Sequence, residues 1–116
     1  MRIKQTIALG LATAAAATLA LAGTASANDV TLYENSNYAG ATVDVYGDVA
    51  NFAGWTFSNG HAVKNNAAAA WNWGPGDASI YFNSNFGGNS DYIAAYSGRS
   101  RLGFTYNNNA SLRFWG

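Results

Sequence analysis

The sequence predicts an all-β domain assembled from two copies of one motif, and three observations carry that reading. First, Tyr33-Glu34-Asn35-Ser36-Asn37-Tyr38-Ala39-Gly40 returns 48 residues later as Tyr81-Phe82-Asn83-Ser84-Asn85-Phe86-Gly87-Gly88, with Asn-Ser-Asn unchanged. A period of this length marks a structural unit rather than a local turn. Second, short runs that alternate in polarity and are rich in Val, Thr and Tyr are punctuated by glycine and asparagine at close intervals, as in a sandwich. Third, the one stretch with helical character is four alanines, 67–70, behind two asparagines that could cap a helix. Four residues make barely one turn, so a turn entering a strand is expected there.

Residues 1–27 read as an N-terminal signal peptide. Arg2 and Lys4 precede a mostly apolar run from 7 to 22, and Ala25-Ser26-Ala27 has the small residues of a cleavage site. A membrane anchor would need about 20 strongly apolar residues and a basic stop-transfer flank. Here the run is mostly alanine, and Asn28-Asp29 follows. Residues 28–116 then form a single domain. Copy one spans 28–73 with strands at 30–33 and 41–46, and copy two spans 78–116 with strands at 78–82 and 91–96. The linker, 74–77, is Gly74-Pro75-Gly76-Asp77 and carries the only proline of the chain. A second pair of landmarks, Asn65-Asn66-Ala67-Ala68 and Asn108-Asn109-Ala110-Ser111, lies 43 apart, which implies that copy two is five residues shorter.

Charge and composition exclude several functions. After residue 27 there are four basic residues (Lys64, Arg99, Arg101, Arg113) against six acidic ones, a net charge of −2. That is neither a nucleic-acid footprint nor a polybasic patch for stable membrane association. Cysteine is absent. A small secreted domain usually needs such staples, so an aromatic-rich core, with or without the help of a bound ion, is expected to stabilise it instead. The spacing of an aromatic, four residues, a second aromatic, one residue and glycine resembles the hairpin signature of the βγ-crystallin Greek-key motif. Both copies carry it, as Tyr33…Tyr38-Ala39-Gly40 and Tyr81…Phe86-Gly87-Gly88. The resemblance covers essentially all of 28–116 and implies two βγ-crystallin-type Greek keys packed as a β-sandwich. One aromatic should cover the fold, and the glycine should supply a backbone conformation or close approach that a Cβ would block.

More narrowly, the signal peptide, the two motifs and the phrases 62–68 and 106–111 resemble the secreted actinobacterial peptidase-inhibitor family typified by the Streptomyces metalloproteinase inhibitor. Members often carry cysteines and this chain has none, so no disulfide braces an inhibitory loop. Many microbial βγ-crystallins bind calcium through N/D-N/D-x-x-S/T-S, and residues 107–112 match five of six positions, with Leu112 at the last. The resemblance implies a weak calcium site from the Ser111 hydroxyl, the Asn109 carbonyl and the Asn65 side chain. Calcium seeks six to eight oxygens, and neither segment contains a carboxylate. The same asparagines can instead close turns by bonding their own backbone. No cofactor is required by any feature of the sequence.

A catalytic reading finds little. His61 is the sole histidine, with no nucleophile elbow beside it, and the six acids form no recognisable pair. The chain is expected not to be an enzyme. Three loops have the length to contact a protease: 71–79, with Trp71, Trp73 and Pro75; 48–61, the longer loop of copy one; and 97–102, with two cations. The first ranks highest because tryptophan is favoured at binding hot spots, although Trp71 and Trp73 could equally fill the core. The function implied is a secreted, monomeric inhibitor of extracellular proteases, chiefly metalloendopeptidases, that inserts a loop into the protease cleft. The alternatives are a stability module with vestigial calcium binding, or a secreted antimicrobial or surface-binding protein; the absence of a cationic face argues against membrane attack.

Overall fold

A computed structural model describes residues 27–115, so the expected signal peptide, apart from Ala27, lies outside the described residues. Seven strands form: β1 (Val30–Asn35), β2 (Ala39–Val45), β3 (Ala69–Asn72), β4 (Ala78–Asn83), β5 (Gly87–Ile93), β6 (Gly98–Arg99) and β7 (Ser111–Phe114). All pairings are antiparallel. Among the described residues there is no helix, and thus none long and apolar enough to cross a membrane. The all-β sandwich of two repeated units is therefore the fold. The 67–70 alanines enter β3 as expected, while β5 begins at Gly87 rather than residue 91, because the hairpin pairs Asn83 with Gly87 directly.

The repeated motif is a strained hairpin. At its tip Asn37 and Tyr38 have φ of 64° and 58°, and their counterparts Asn85 and Phe86 have 58° and 60°. Left-handed backbone costs an L-residue about 1–2 kcal/mol. The rings offset part of this: Tyr38 meets Tyr33 edge-on at 5.5 Å, and Phe86 meets Tyr81 at 5.9 Å. Such pairs contribute about 0.5–1.5 kcal/mol beyond area burial. The motif glycine is needed twice over. Gly40 has φ +80°, and a Cβ there would stand 2.6 Å from Asn35 Nδ2; Gly88 has φ +77° and 2.7 Å to Asn83 Nδ2.

Neither repeat completes its own sheet. The strand orders are β2-β1-β3-β6 and β5-β4-β7. β6 belongs to copy two yet pairs with β3 of copy one, while Val49 of copy one bridges Leu112 on β7. The hairpin tips follow the exchange: Asn37 N–H donates to Ser100 C=O and Asn85 N–H to Ala50 C=O, both at 2.7 Å. The two units therefore fold as one body, with backbone hydrogen bonds stitching each to the other.

This pairing corrects the repeat alignment. Tyr33 pairs with Ala69 and Tyr81 with Ser111, so the last strands are 42 apart, not 43. Asn65 thus corresponds to Asn107, with φ of 65° and 53°, and the counterpart of Ser111 is Ala69, not Ala68. In the exchanged segments Phe52 N–H donates to Ala110 C=O and Leu102 N–H to Ala68 C=O, an offset of 50. Copy one therefore carries eight extra residues between Phe52 and Asn65, and copy two carries two extra between Ile93 and Leu102. The net difference is six residues rather than five. Three consecutive asparagines at 107–109 let the sequence slide by one against the Asn65-Asn66 pair, and only the strand register resolves it.

The core between the sheets also differs from expectation. It consists of Val30, Leu32, Val45, Ala70, Ala78, Ile80, Ile93, Leu102, Leu112 and a few others, and Phe52, Phe57 and Phe114 are the buried rings among the described residues. Seven aromatics, among them Tyr46, Phe82, Tyr96 and Phe104, are exposed. The core is aliphatic because the inward positions of β1 and β4 are Val30, Leu32, Ala78 and Ile80, which leaves the hairpin rings Tyr33 and Tyr81 on the outer faces.

Candidate functional site

What breaks the pseudo-symmetry is the eight-residue excursion of copy one, and it folds into a small hairpin over 55–63. Thr56 bridges Ala62, Phe57 N–H donates to His61 C=O at 2.8 Å, and Val63 N–H to Trp55 C=O at 3.0 Å. Gly60, φ +88°, turns the tip. The base is anchored by burial: Phe52, Phe57 and Val63 are enclosed in the core, and Trp55 packs edge-on against Phe52 at 5.4 Å. Ser58 N–H donates to Thr42 C=O at 3.0 Å, which ties the hairpin to the edge strand β2. Above these anchors, residues 58–62 are all exposed. In copy two no such hairpin exists, and Phe82, in the position of Glu34, is left 43% exposed.

The hairpin tip is joined to β1 by three polar side chains. Glu34 sits at the irregularity of β1 between Tyr33 and Asn35, where the hairpin reaches it. Its Oε2 lies 2.6 Å from His61 Nδ1, and its Oε1 accepts a hydrogen bond from Asn59 Nδ2 at 2.8 Å. Asn59 Oδ1 accepts the His61 backbone N–H at 3.0 Å. The hydrogen bond from His61, followed by that from Asn59, holds the Glu34 carboxyl below its ordinary value. His61 points outward with 64% of its side chain exposed, while Glu34 behind it is 21% exposed.

The linker residues that the sequence ranks first occupy the opposite end of the same sheet. β3 runs antiparallel to β1, with Tyr33 against Ala69 and Val30 against Asn72, so Trp73 and Pro75 lie beyond the start of β1 and the hairpin beyond its end. Trp71 and Trp73 do share one face, but it is the outer face of the sheet rather than the core. Trp71 contacts Tyr38 at 5.5 Å and Trp73 at 5.6 Å, and Trp73 Nε1 donates to Thr31 Oγ1 at 3.0 Å. The rings of Tyr33, Tyr38, Trp71 and Trp73 thus form one row, each inclined to the next by 50–78°, and Pro75 is the exposed residue of the linker. The linker is pinned from below by Asn72, fully buried, whose side chain bonds Gly74 N–H, Gly76 C=O and Ile93 C=O. At its far end Asp77 accepts the Tyr92 hydroxyl and the Ala95 N–H, which hold its carboxyl below the ordinary value and push the Tyr92 phenol up.

The residues of the expected calcium site do converge, and the oxygens of Asn109 and Ser111 are engaged within the fold, while the Asn65 side chain is exposed. Asn65 N–H donates to Asn109 C=O at 2.9 Å, mirrored by Asn107 N–H to Ala67 C=O at 2.9 Å. The Asn109 side chain, fully buried, accepts Ala67 N–H and donates to the carbonyls of Ala67 and Thr105. The Ser111 hydroxyl donates to Asn83 C=O and accepts Phe86 N–H. Among the described residues no three His, Cys, Asp or Glu side chains gather. Three neutral oxygens, of which those of Asn109 and Ser111 are already bonded to backbone, make a poor set for a hard cation that seeks six to eight ligands. These groups instead cross-link the two copies.

One side chain that the sequence left unremarked proves structural. Asp91, buried on β5, accepts Gly103 N–H, Thr105 N–H and the Thr105 hydroxyl, and faces Arg99 at 3.5 Å. It fixes the loop of copy two where copy one uses its hairpin. The Glu34–His61 pair, 27 residues apart, had no local signal beyond His61 being alone.

Comparison with known proteins agrees with this architecture. The model of peptidase inhibitor family I36 matches residues 20–93, a span that contains copy one and the whole hairpin. No curated protein matches the sequence. Among solved structures, a βγ-crystallin domain studied for the evolution of the eye-lens fold is similar at TM-score 0.65 and 20% identity, covering 78% of this chain and 87% of that one. The N-terminal domain of protein S follows at TM-score 0.61 and 22% identity, with coverages of 76% and 96%. A βγ-crystallin domain from Flavobacterium johnsoniae gives 0.60 and 24%, with 75% and 93%. Identities this low speak for the fold alone.

Proposed function

Because the chain belongs to peptidase inhibitor family I36, and is thus a protease inhibitor and not an enzyme, we propose that it acts outside the cell on metalloendopeptidases by inserting its 55–63 hairpin into the protease cleft. The observation that carries the mechanism is the exposed run 58–62 standing on buried Phe57 and Val63. An inhibitory loop must enter a cleft without costly reordering. Backbone bonds at both ends and the Glu34–Asn59–His61 contacts supply that rigidity in a chain without disulfides. Extracellular action is supported by the signal-type segment 1–27.

The test titrates the domain, residues 28–116, against a panel of secreted metallo- and serine proteases. Inhibition confined to metalloendopeptidases is expected, and none at micromolar excess would sink the proposal. Two exposed positions at opposite ends of the sheet then separate the loops. Ala62→Asp should weaken inhibition and Pro75→Asp should not; the reverse result would move the contact to the linker.

A further inference from the structure

We propose that His61 supplies a ligand to the catalytic zinc of the target metalloendopeptidase, with Glu34 as its positioning residue. This rests on the metalloendopeptidase reading above and deepens it. The contact to Glu34 selects the tautomer of the neutral ring. A carboxylate only accepts, so the 2.6 Å contact to Glu34 Oε2 requires that His61 Nδ1 carry the proton. In the neutral ring Nε2 then holds a lone pair, and it makes no hydrogen bond to any described residue. Asn59 occupies the other carboxylate oxygen and clasps the His61 backbone N–H, so the imidazole is oriented from two sides. Metal-ligating histidines have this arrangement, one nitrogen on the metal and the other donating to a carboxylate, which raises ligand basicity.

The ligand count points to a metal already held elsewhere. With no group of three His, Cys, Asp or Glu among the described residues, the chain offers one ligand rather than a cage. A catalytic zinc presents the complement: three protein ligands and a fourth position taken by water or substrate. In the proposed complex that water leaves and Nε2 takes its place, at about 2.0–2.1 Å from the metal. With His61 entering as the neutral imidazole, one Zn–O bond to the departing water breaks, one Zn–N bond forms, and no proton leaves the ring. Because the hairpin is rigid before binding, little ordering cost falls on this step.

The experiment uses thermolysin and its cobalt-substituted form as probes. Wild-type domain should inhibit the zinc enzyme and shift the visible d–d bands of the cobalt enzyme. His61→Ala, checked for an unchanged far-UV spectrum, should lose at least about 100-fold in inhibition and leave the bands unmoved. Glu34→Gln should weaken inhibition by about 10- to 100-fold, the range for outer-shell partners of a ligating histidine, while the bands still shift. Full inhibition by His61→Ala, or bands that do not move when the wild type binds, would overturn the role of His61 and leave the metalloendopeptidase reading standing. Failure of the wild type to inhibit any zinc endopeptidase in the panel would remove both.

Discussion

Replacing Asn109 with alanine separates the structural reading of the asparagine cluster from a calcium-binding one. The side chain is fully buried and makes three hydrogen bonds. Two of its partners have a second donor, since Ala67 C=O also accepts Asn107 N–H and Thr105 C=O also accepts Asn108 N–H. Only the Ala67 N–H is orphaned. A buried unsatisfied donor costs about 1–3 kcal/mol, and the missing amide atoms leave a small void, for a total of about 2–4 kcal/mol. At about 4–8 °C per kcal/mol for a domain of this size, Tm should fall by about 8–32 °C. Thermal melts and urea titrations of residues 28–116 read this directly. Asn109→Asp sharpens the test. Its carboxylate can still accept Ala67 N–H, but its second oxygen faces the two carbonyls that Nδ2 served, so that variant should be less stable than wild type at neutral pH and regain stability on mild acidification. A Tm for Asn109→Ala within about 4 °C of wild type, or an Asn109→Asp variant stabilised by calcium, would refute the reasoning.

Further outcomes follow from other sites. Millimolar calcium or a chelator should leave the wild-type Tm unchanged within about 1 °C, because a ligand that does not bind the native state adds no stability; a rise with calcium would restore the site at Asn65, Asn109 and Ser111. At Gly98 a Cβ would stand 2.2 Å from Trp71 Cε3 and 2.9 Å from Ala70 O, so Gly98→Ala should cost about 1–3 kcal/mol or more, read as a lower urea midpoint; an unchanged midpoint would mean that the Trp71 row is loosely packed. Glu34 and Asp77 are held below ordinary values of 4.5 and 3.8. Their contribution is present above those values and is lost as pH falls through the lowered ones. Glu34→Gln and Asp77→Asn should each flatten the acid limb of the Tm–pH curve, and parallel curves would contradict the assignment. The Tyr92 phenol is raised from 10.0, so its contribution persists below that pH and fades as pH climbs through the raised value.

The repeat was legible because its positions are dictated by local sterics. Tyr38 and Phe86 sit at positive φ against Tyr33 and Tyr81, and Gly40 and Gly88 must lack a Cβ, so both copies retain an aromatic or a glycine at these positions. The alternation of Val30 and Leu32 with Thr31 and Tyr33 marked β1 for the same reason. The candidate site was not legible. Glu34 and His61 meet across 27 residues, and the pairing depends on the excursion between Phe52 and Asn65 folding back over β1. Trp71 and Trp73 read as binding residues by type, yet their side of β3 is decided by Ala70 and Asn72 turning inward.

The sequence by itself therefore determined that residues 28–116 make two βγ-crystallin-type hairpin units, since turn geometry and strand periodicity are local properties. Only the tertiary structure decided that the units exchange β6 and the Val49 segment, that the asparagines knit copy to copy, and that a hairpin with an oriented histidine is the feature the second copy lacks. Those results rest on contacts between residues distant in the chain. Their partners are chosen by strand register and burial, which no short stretch of sequence specifies.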